Sequence, residues 1–275
     1  MDAIQIHKGK RFYRPPSLVR SYNKVVVFDL DETLGSFTDL DVLWNARLMD
    51  HTQTNFNQLL DLYPEFLRTG ILDIIEFLYH KKEAGVCYRL YIYTNNQRSK
   101  KWTYMIIRYI EDRLVTPGLF DQVIGAFKVN NMVMEPRRTS HEKSYSDLIK
   151  CSLIPSSSEI CFIDDKYFKL MAKDRVYYIQ PKSYHHSLTT RDIIDRFVNS
   201  DLPISRCSWD ELYSKFEYIN ETEKTDAEIE LDRQVSKKIL YHLQLFFHMT
   251  TFRMKTRKIQ SSAIGKFTRK QRSRR

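Results

Sequence analysis

The chain has 275 residues, with 44 Lys and Arg against 34 Asp and Glu and a hydrophobic fraction of 42%. That is enough apolar material for one full domain, or one with a modest addition, around a real core. Its seven glycines are few and widely spaced, which excludes a Gly-rich phosphate loop of the Walker type and a dinucleotide fingerprint.

The net charge of +10 is segregated rather than spread. No acidic residue follows Asp232, and Phe252–Arg275 carries ten basic residues, so the rest of the chain is electrically balanced. A basic composition therefore describes an appendage and not the body. Cys87, Cys151, Cys161 and Cys207 show no paired spacing and read as reduced thiols. The polar N-terminus lacks a signal-peptide pattern, and no stretch approaches the roughly 20 apolar residues of a membrane span. The expectation is an intracellular protein of cytoplasm or nucleus, with no membrane partner.

In chain order, residues 1–21 read as an N-terminal extension. Lys24–Leu30 (KVVVFDL) is a β-branched apolar run ending in acid, the pattern of a buried parallel strand. A polar, mixed segment follows over Gly35–Asn57, and residues 35–67 read as a small cap or flap insertion after that strand. Ile71–Glu83 places Ile71, Ile74, Ile75 and Leu78 at helical spacing and stops before Gly85. Tyr88–Thr94 is a second strand, Ser99–Leu114 a second amphipathic helix, Gln122–Phe127 a third strand, Glu159–Asp164 a fourth and Val176–Ile179 a fifth. Thr190–Val198 reads as a helix, residues 201–251 as a helical C-terminal segment containing Lys237–Phe247, and 252–275 as a basic disordered tail. This alternation predicts an α/β fold, a Rossmann-like, mostly parallel sheet with flanking helices spanning 22–200, followed by a helical and basic C-terminal extension.

Three of these strands end in polar chemistry: Asp29-Leu30-Asp31-Glu32-Thr33, Thr94-Asn95-Asn96 and Asp164-Asp165. Open parallel sheets bind ligands outside the carboxyl ends of their strands, at the switch point of strand order. Asp29, Asp31, Asp164 and Asp165 are therefore expected to share one crevice, where unscreened carboxylates raise each other's pKa. Oxygen ligands without His or Cys favour a hard divalent ion, most simply Mg²⁺. A calcium loop is excluded, because its sixth and twelfth positions, counted from Asp29, are Leu34 and Leu40. A helix cap accounts for one acidic cluster but not for several at equivalent places. One carboxylate can act as a nucleophile toward phosphorus and its neighbour as an acid/base. Thr33, Thr94 and Asn95 are expected to contact the phosphoryl group. Lys143 is the candidate charge-balancing cation, with Lys166 its competitor.

Together, VVVFDLDETL, YIYTNN and ICFIDD resemble the haloacid-dehalogenase superfamily of aspartyl phosphatases, and DLDETL resembles its RNA polymerase II C-terminal-domain phosphatase (NLI-interacting-factor-like) branch, versions of which occur in large DNA viruses. The resemblance covers roughly 22–181. It implies Asp29 as nucleophile and metal ligand, Asp31 as acid/base with its backbone carbonyl on the metal, Asp164 as a ligand supported by Asp165, and Thr94 as a phosphate contact. Two departures stand out. The branch's lysine falls in a K-D-L run, whereas this chain has Ser146-Asp147-Leu148 with Lys143 three residues earlier, and Asn95 and Asn96 replace small residues after Thr94.

The resulting expectation is a Mg²⁺-dependent phosphatase acting on phosphoserine or phosphothreonine in a protein. The alternatives are a nucleic-acid 3′-phosphatase, with the basic tail as a nucleic-acid contact, and a non-catalytic binding module.

Overall fold

The computed structural model describes residues 3–13, 23–46, 48–205 and 207–270, with side chains as far as His248. These residues form eight strands, eight α-helices and two short 3₁₀ turns. Strands β1 (Ile4–Lys8), β2 (Lys24–Phe28), β3 (Arg89–Tyr93), β4 (Gln122–Ile124), β7 (Glu159–Ile163) and β8 (Val176–Pro181) form one sheet in the order β1-β8-β7-β2-β3-β4. All neighbours in it run parallel except β1, which closes the edge antiparallel to β8. Strands β5 (Lys128–Val129) and β6 (Met132–Val133) make a separate small hairpin. The α/β sheet read from the sequence is thus present.

Period-two alternation explains why the central strands are buried on both faces. Val26 and Phe28 of β2, Leu90 and Ile92 of β3, and Cys161 and Ile163 of β7 enter the larger core. The helices on that side are α1 (Thr38–Asn45), α2 (Gln53–Leu62), α3 (Ile71–Glu83), α4 (Lys100–Leu114) and α6 (Thr190–Val198). The intervening Val25, Val27, Tyr91, Tyr93, Ile160 and Phe162 face the opposite core, which α5 (Tyr145–Ser152) covers with Leu148 and Cys151.

Two differences from the sequence reading have physical causes. The N-terminal extension contributes a strand, because Ile4 and Ile6 alternate against β8. The 35–67 insertion is helical and packed, with Leu40, Leu43, Trp44, Phe56, Leu59 and Leu60 in the main core. Its first helix has Phe37 at the N-cap and no side-chain cap bond, so the local start signal is missing. The segment 201–251, read as helical, holds α7 (Trp209–Tyr213) and the start of α8 (Asp226–Lys270) and packs on the sheet. Leu212 and Phe216 near α7, and Val235, Ile239, Leu243, Phe246 and Phe247 of α8, belong to the same core as the sheet. The segment expected to be a disordered tail, 252–275, continues α8 as far as Lys270, and residues 271–275 lie outside the described residues.

Candidate active site

Strand order reverses between β2 and β7, because the chain leaves β2 toward β3 and later returns to β2's other side. Asp29 directly follows β2, and Asp164 and Asp165 directly follow β7, so the acids sit at the switch-point crevice. The ladder continues into the site: the Asp29 amide donates to the Ile163 carbonyl at 2.9 Å, and the Asp164 amide to the Ile179 carbonyl at 3.2 Å. Backbone pairing therefore sets the relative height of the two acidic ends.

Carboxylate oxygens of Asp29, Asp164 and Asp165 all lie within 4.8 Å of one another, and all three residues are buried. Lys143 enters from the loop before α5. Its Nζ donates to Asp29 Oδ1 at 2.5 Å and to Asp164 Oδ2 at 2.7 Å, with its side chain 2% exposed. The rings of Tyr93, Phe162 and Phe168 surround the ammonium at 5.8, 6.0 and 5.4 Å to their centroids, which adds cation–π attraction in a dry setting. Lys166 stands apart: its side chain is 70% exposed and its Nζ is 3.8 Å from Glu32. Of the two lysines read from the sequence, the structure brings Lys143 to the carboxylates.

The remaining acids are held by polar side chains. The Thr33 hydroxyl donates to Asp165 Oδ1 at 3.3 Å and accepts from the Asp165 amide at 3.1 Å, so Thr33 joins the two acidic ends. Ser183 Oγ donates to the other Asp165 oxygen at 2.6 Å. Asp31 lies outside the triad and is turned to Asn96, whose Nδ2 contacts its two oxygens at 3.0 and 2.9 Å. Thr94 Oγ1 accepts from the Asn96 amide at 2.9 Å, and Asn95 Oδ1 accepts from Arg138 Nη2 at 2.7 Å.

Two buried arginines pin the loops that carry these groups. Arg68 donates to the carbonyls of Thr33 at 2.6 Å, Glu32 at 2.5 Å and Lys182 at 3.0 Å. Arg138 donates to the carbonyls of Thr94 at 3.1 Å, Gly125 at 2.7 Å and His141 at 3.1 Å. The first loop turns tightly: Glu32 has φ 55°, its amide donates to Gly35 at 2.8 Å, and a Cβ at Gly35 would run into the Phe66 carbonyl oxygen. Arg68, Arg138 and Ser183 carry no sequence signal of a site role, and Asn96 enters the sequence reading only as a departure after Thr94, with no role attached. Asn96 is one residue beyond the expected Asn95 and was within reach of such reading. A buried arginine looks like any other in a sequence.

Burial pushes Asp31 up to about 7, with the neighbouring Asp29 adding to the effect and Asn96 opposing it. Burial likewise pushes Asp164 up to about 7 against the pull of Lys143, and Asp29 also rises. Burial works against the Lys143 charge, but Asp29 and Asp164 outweigh it and hold that pKa above its ordinary value. One ammonium thus faces more carboxylate than it can neutralise. An all-oxygen donor set with excess negative charge fits a hard divalent cation, and Asp29, Asp164 and Asp165 are the side chains that would hold it.

Comparison with protein-family models, curated proteins and solved structures found no match. Among the described residues, no helix is long and apolar enough to cross a membrane.

Proposed function

We propose that this protein is a Mg²⁺-dependent phosphatase of the haloacid-dehalogenase type, in the RNA polymerase II C-terminal-domain phosphatase-like branch. It hydrolyses phosphomonoesters, with phosphoserine or phosphothreonine in a protein as the substrate class. The observation that carries this reading is the buried Lys143 ammonium between Asp29 and Asp164, with Asp165 beside them and Asp31 held separately. That arrangement suits a nucleophile and an acid/base that need different environments.

In this reading an Asp29 oxygen attacks phosphorus and the bond to the ester oxygen breaks. The electron pair stays on that oxygen, and Asp31 supplies its proton. Water then gives a proton to Asp31 and attacks phosphorus, the bond between phosphorus and the Asp29 oxygen breaks, and inorganic phosphate leaves with the Asp29 carboxylate restored. Lys143 balances charge at Asp29, and the Thr94 hydroxyl is the phosphoryl contact from the loop after β3. A bound divalent cation supplies electrostatic stabilisation of the transferred group.

The nucleic-acid 3′-phosphatase alternative uses the same residues and differs only in what presents the phosphate. Both are tested by assaying a phosphoserine peptide and a 3′-phosphorylated oligonucleotide side by side with Mg²⁺. Faster turnover of the peptide is expected. Preference for the oligonucleotide would move the assignment to the alternative, and no turnover of any phosphomonoester would remove both.

A further inference from the structure

Asn96 occupies a place that the acidic motifs do not explain. It follows β3 by three residues and, among the described residues, is the one side chain donating to the carboxyl of Asp31, with Nδ2 at 3.0 and 2.9 Å from its two oxygens. Which end of the Asn96 amide faces Asp31 is decided by its other bond. Its Oδ1 accepts from the Arg98 amide at 2.7 Å, which leaves the NH₂ group for Asp31. The Asn96 backbone amide donates to Thr94 Oγ1 at 2.9 Å. Thr94 itself is fixed from behind, through Arg138 on its carbonyl at 3.1 Å and its own amide on the Ile124 carbonyl at 3.0 Å. A continuous set of hydrogen bonds thus runs from β4 through Thr94 and Asn96 to Asp31.

An aspartate carboxyl rotates easily about its terminal torsion, so a lone acid at a loop position has no fixed direction for its proton. A single NH₂ placed across both oxygens restricts that rotation. It is compatible with either protonation state, since a protonated carboxyl retains an acceptor oxygen. The donor belongs to the loop that carries Thr94, so the acid is aligned to the element facing the phosphoryl group.

We propose that Asn96 is a positioning residue for the leaving-group step: it holds the Asp31 carboxyl where its proton meets the departing ester oxygen. This rests on the phosphatase reading. In the step concerned, the bond between phosphorus and the ester oxygen breaks, phosphorus becomes bonded to Asp29, and the proton passes from Asp31 to the departing oxygen. An alkoxide such as that of serine needs that proton. A nitrophenolate leaves without it.

The test compares kcat/KM for a phosphoserine peptide and for nitrophenyl phosphate, in the unaltered protein, in Asn96→Leu, which keeps the branched shape and removes the donor, and in the smaller Asn96→Ala. This ratio reports steps only as far as leaving-group departure, so the later hydrolysis at Asp29 does not enter. The expected result is a loss on the order of 10²-fold with the peptide and less than about tenfold with nitrophenyl phosphate in both variants. The retained aryl phosphate turnover also reports that the variants are folded. An equal loss on both substrates would make Asn96 a structural part of the loop and overturn the proposal, as would no loss on either. Failure of the unaltered protein to cleave either compound would instead remove the phosphatase reading, and this inference with it.

Discussion

Asp29, Asp164 and Lys143 form a charge arrangement whose balance depends on burial. Because the ammonium touches both acids in a site almost closed to solvent, replacing it leaves two carboxylates facing each other unscreened. Lys143→Met is expected to lower phosphatase kcat by about 10²–10³-fold, the usual cost of losing one preorganised electrostatic contact. Lys166→Ala is expected to leave it within about twofold, because an exposed ion pair is worth little. A stopped assay on the two variants with one substrate separates them. The raised acids also predict a pH effect on stability. Asp31 and Asp164 have folded pKa values of about 7, above their unfolded values, so the folded state binds the extra protons. Without metal, thermal stability is therefore expected to be highest in mild acid and to fall as pH rises through 7. Added Mg²⁺ should offset most of that loss, and melting curves with Mg²⁺ or a chelator at pH 5 and pH 8 check both signs.

At the level of elements, the site is a meeting of strand ends whose loops are held by buried guanidinium groups. Arg138 gathers carbonyls from the loop after β3, from the end of β4 and from the loop before α5, and it has no carboxylate partner among the described hydrogen bonds. Its replacement by Met leaves several buried acceptors unsatisfied at about 1–3 kcal/mol each, so a loss of at least about 3 kcal/mol is expected by denaturant unfolding. Elements differ in how much of this was visible in the chain. Lys24–Phe28 and Glu159–Ile163 are short apolar runs ending in acid, and α3 carries its four buried positions at helical spacing, so these were legible. Helix α5 has a readable start, since Ser144 accepts from the Asp147 amide in the usual capping pattern, but its 8 residues are too short a run to display a helical period. Helix α2 was obscured because QTNFNQLLDL offers only Phe56, Leu59 and Leu60 to the core among polar neighbours. Within the site, acids at strand ends announce themselves through chemistry. The donors that hold them come from distant loops, and no local pattern reveals Arg68, Arg138 or Ser183.

Over the whole molecule, the C-terminal helix is part of the body that carries the acidic site. Val235, Ile239, Leu243 and Phe246 recur along one face of α8 and enter the core beneath the sheet. Lys24, at the start of β2, donates to the Phe246 carbonyl at 2.6 Å and lies 4.0 Å from the centre of the Phe246 ring. The strand that presents Asp29 is thus tied at its opposite end to α8. Leu243 is fully buried, and Leu243→Ala is expected to destabilise the protein by about 2–5 kcal/mol, measured by urea unfolding. If 201–251 were a detachable segment, that substitution would leave the stability of the sheet domain unchanged.

The proposed reaction requires that Asp29 become covalently phosphorylated during turnover. Its most direct measurement is mass spectrometry of the protein after rapid acid quenching with excess phosphoserine peptide and Mg²⁺. A single hydroxylamine-sensitive phosphoryl group on the peptide containing Asp29 is expected, absent from Asp29→Asn together with turnover. Steady turnover with no covalent phosphate, and full activity in Asp29→Asn, would contradict the account.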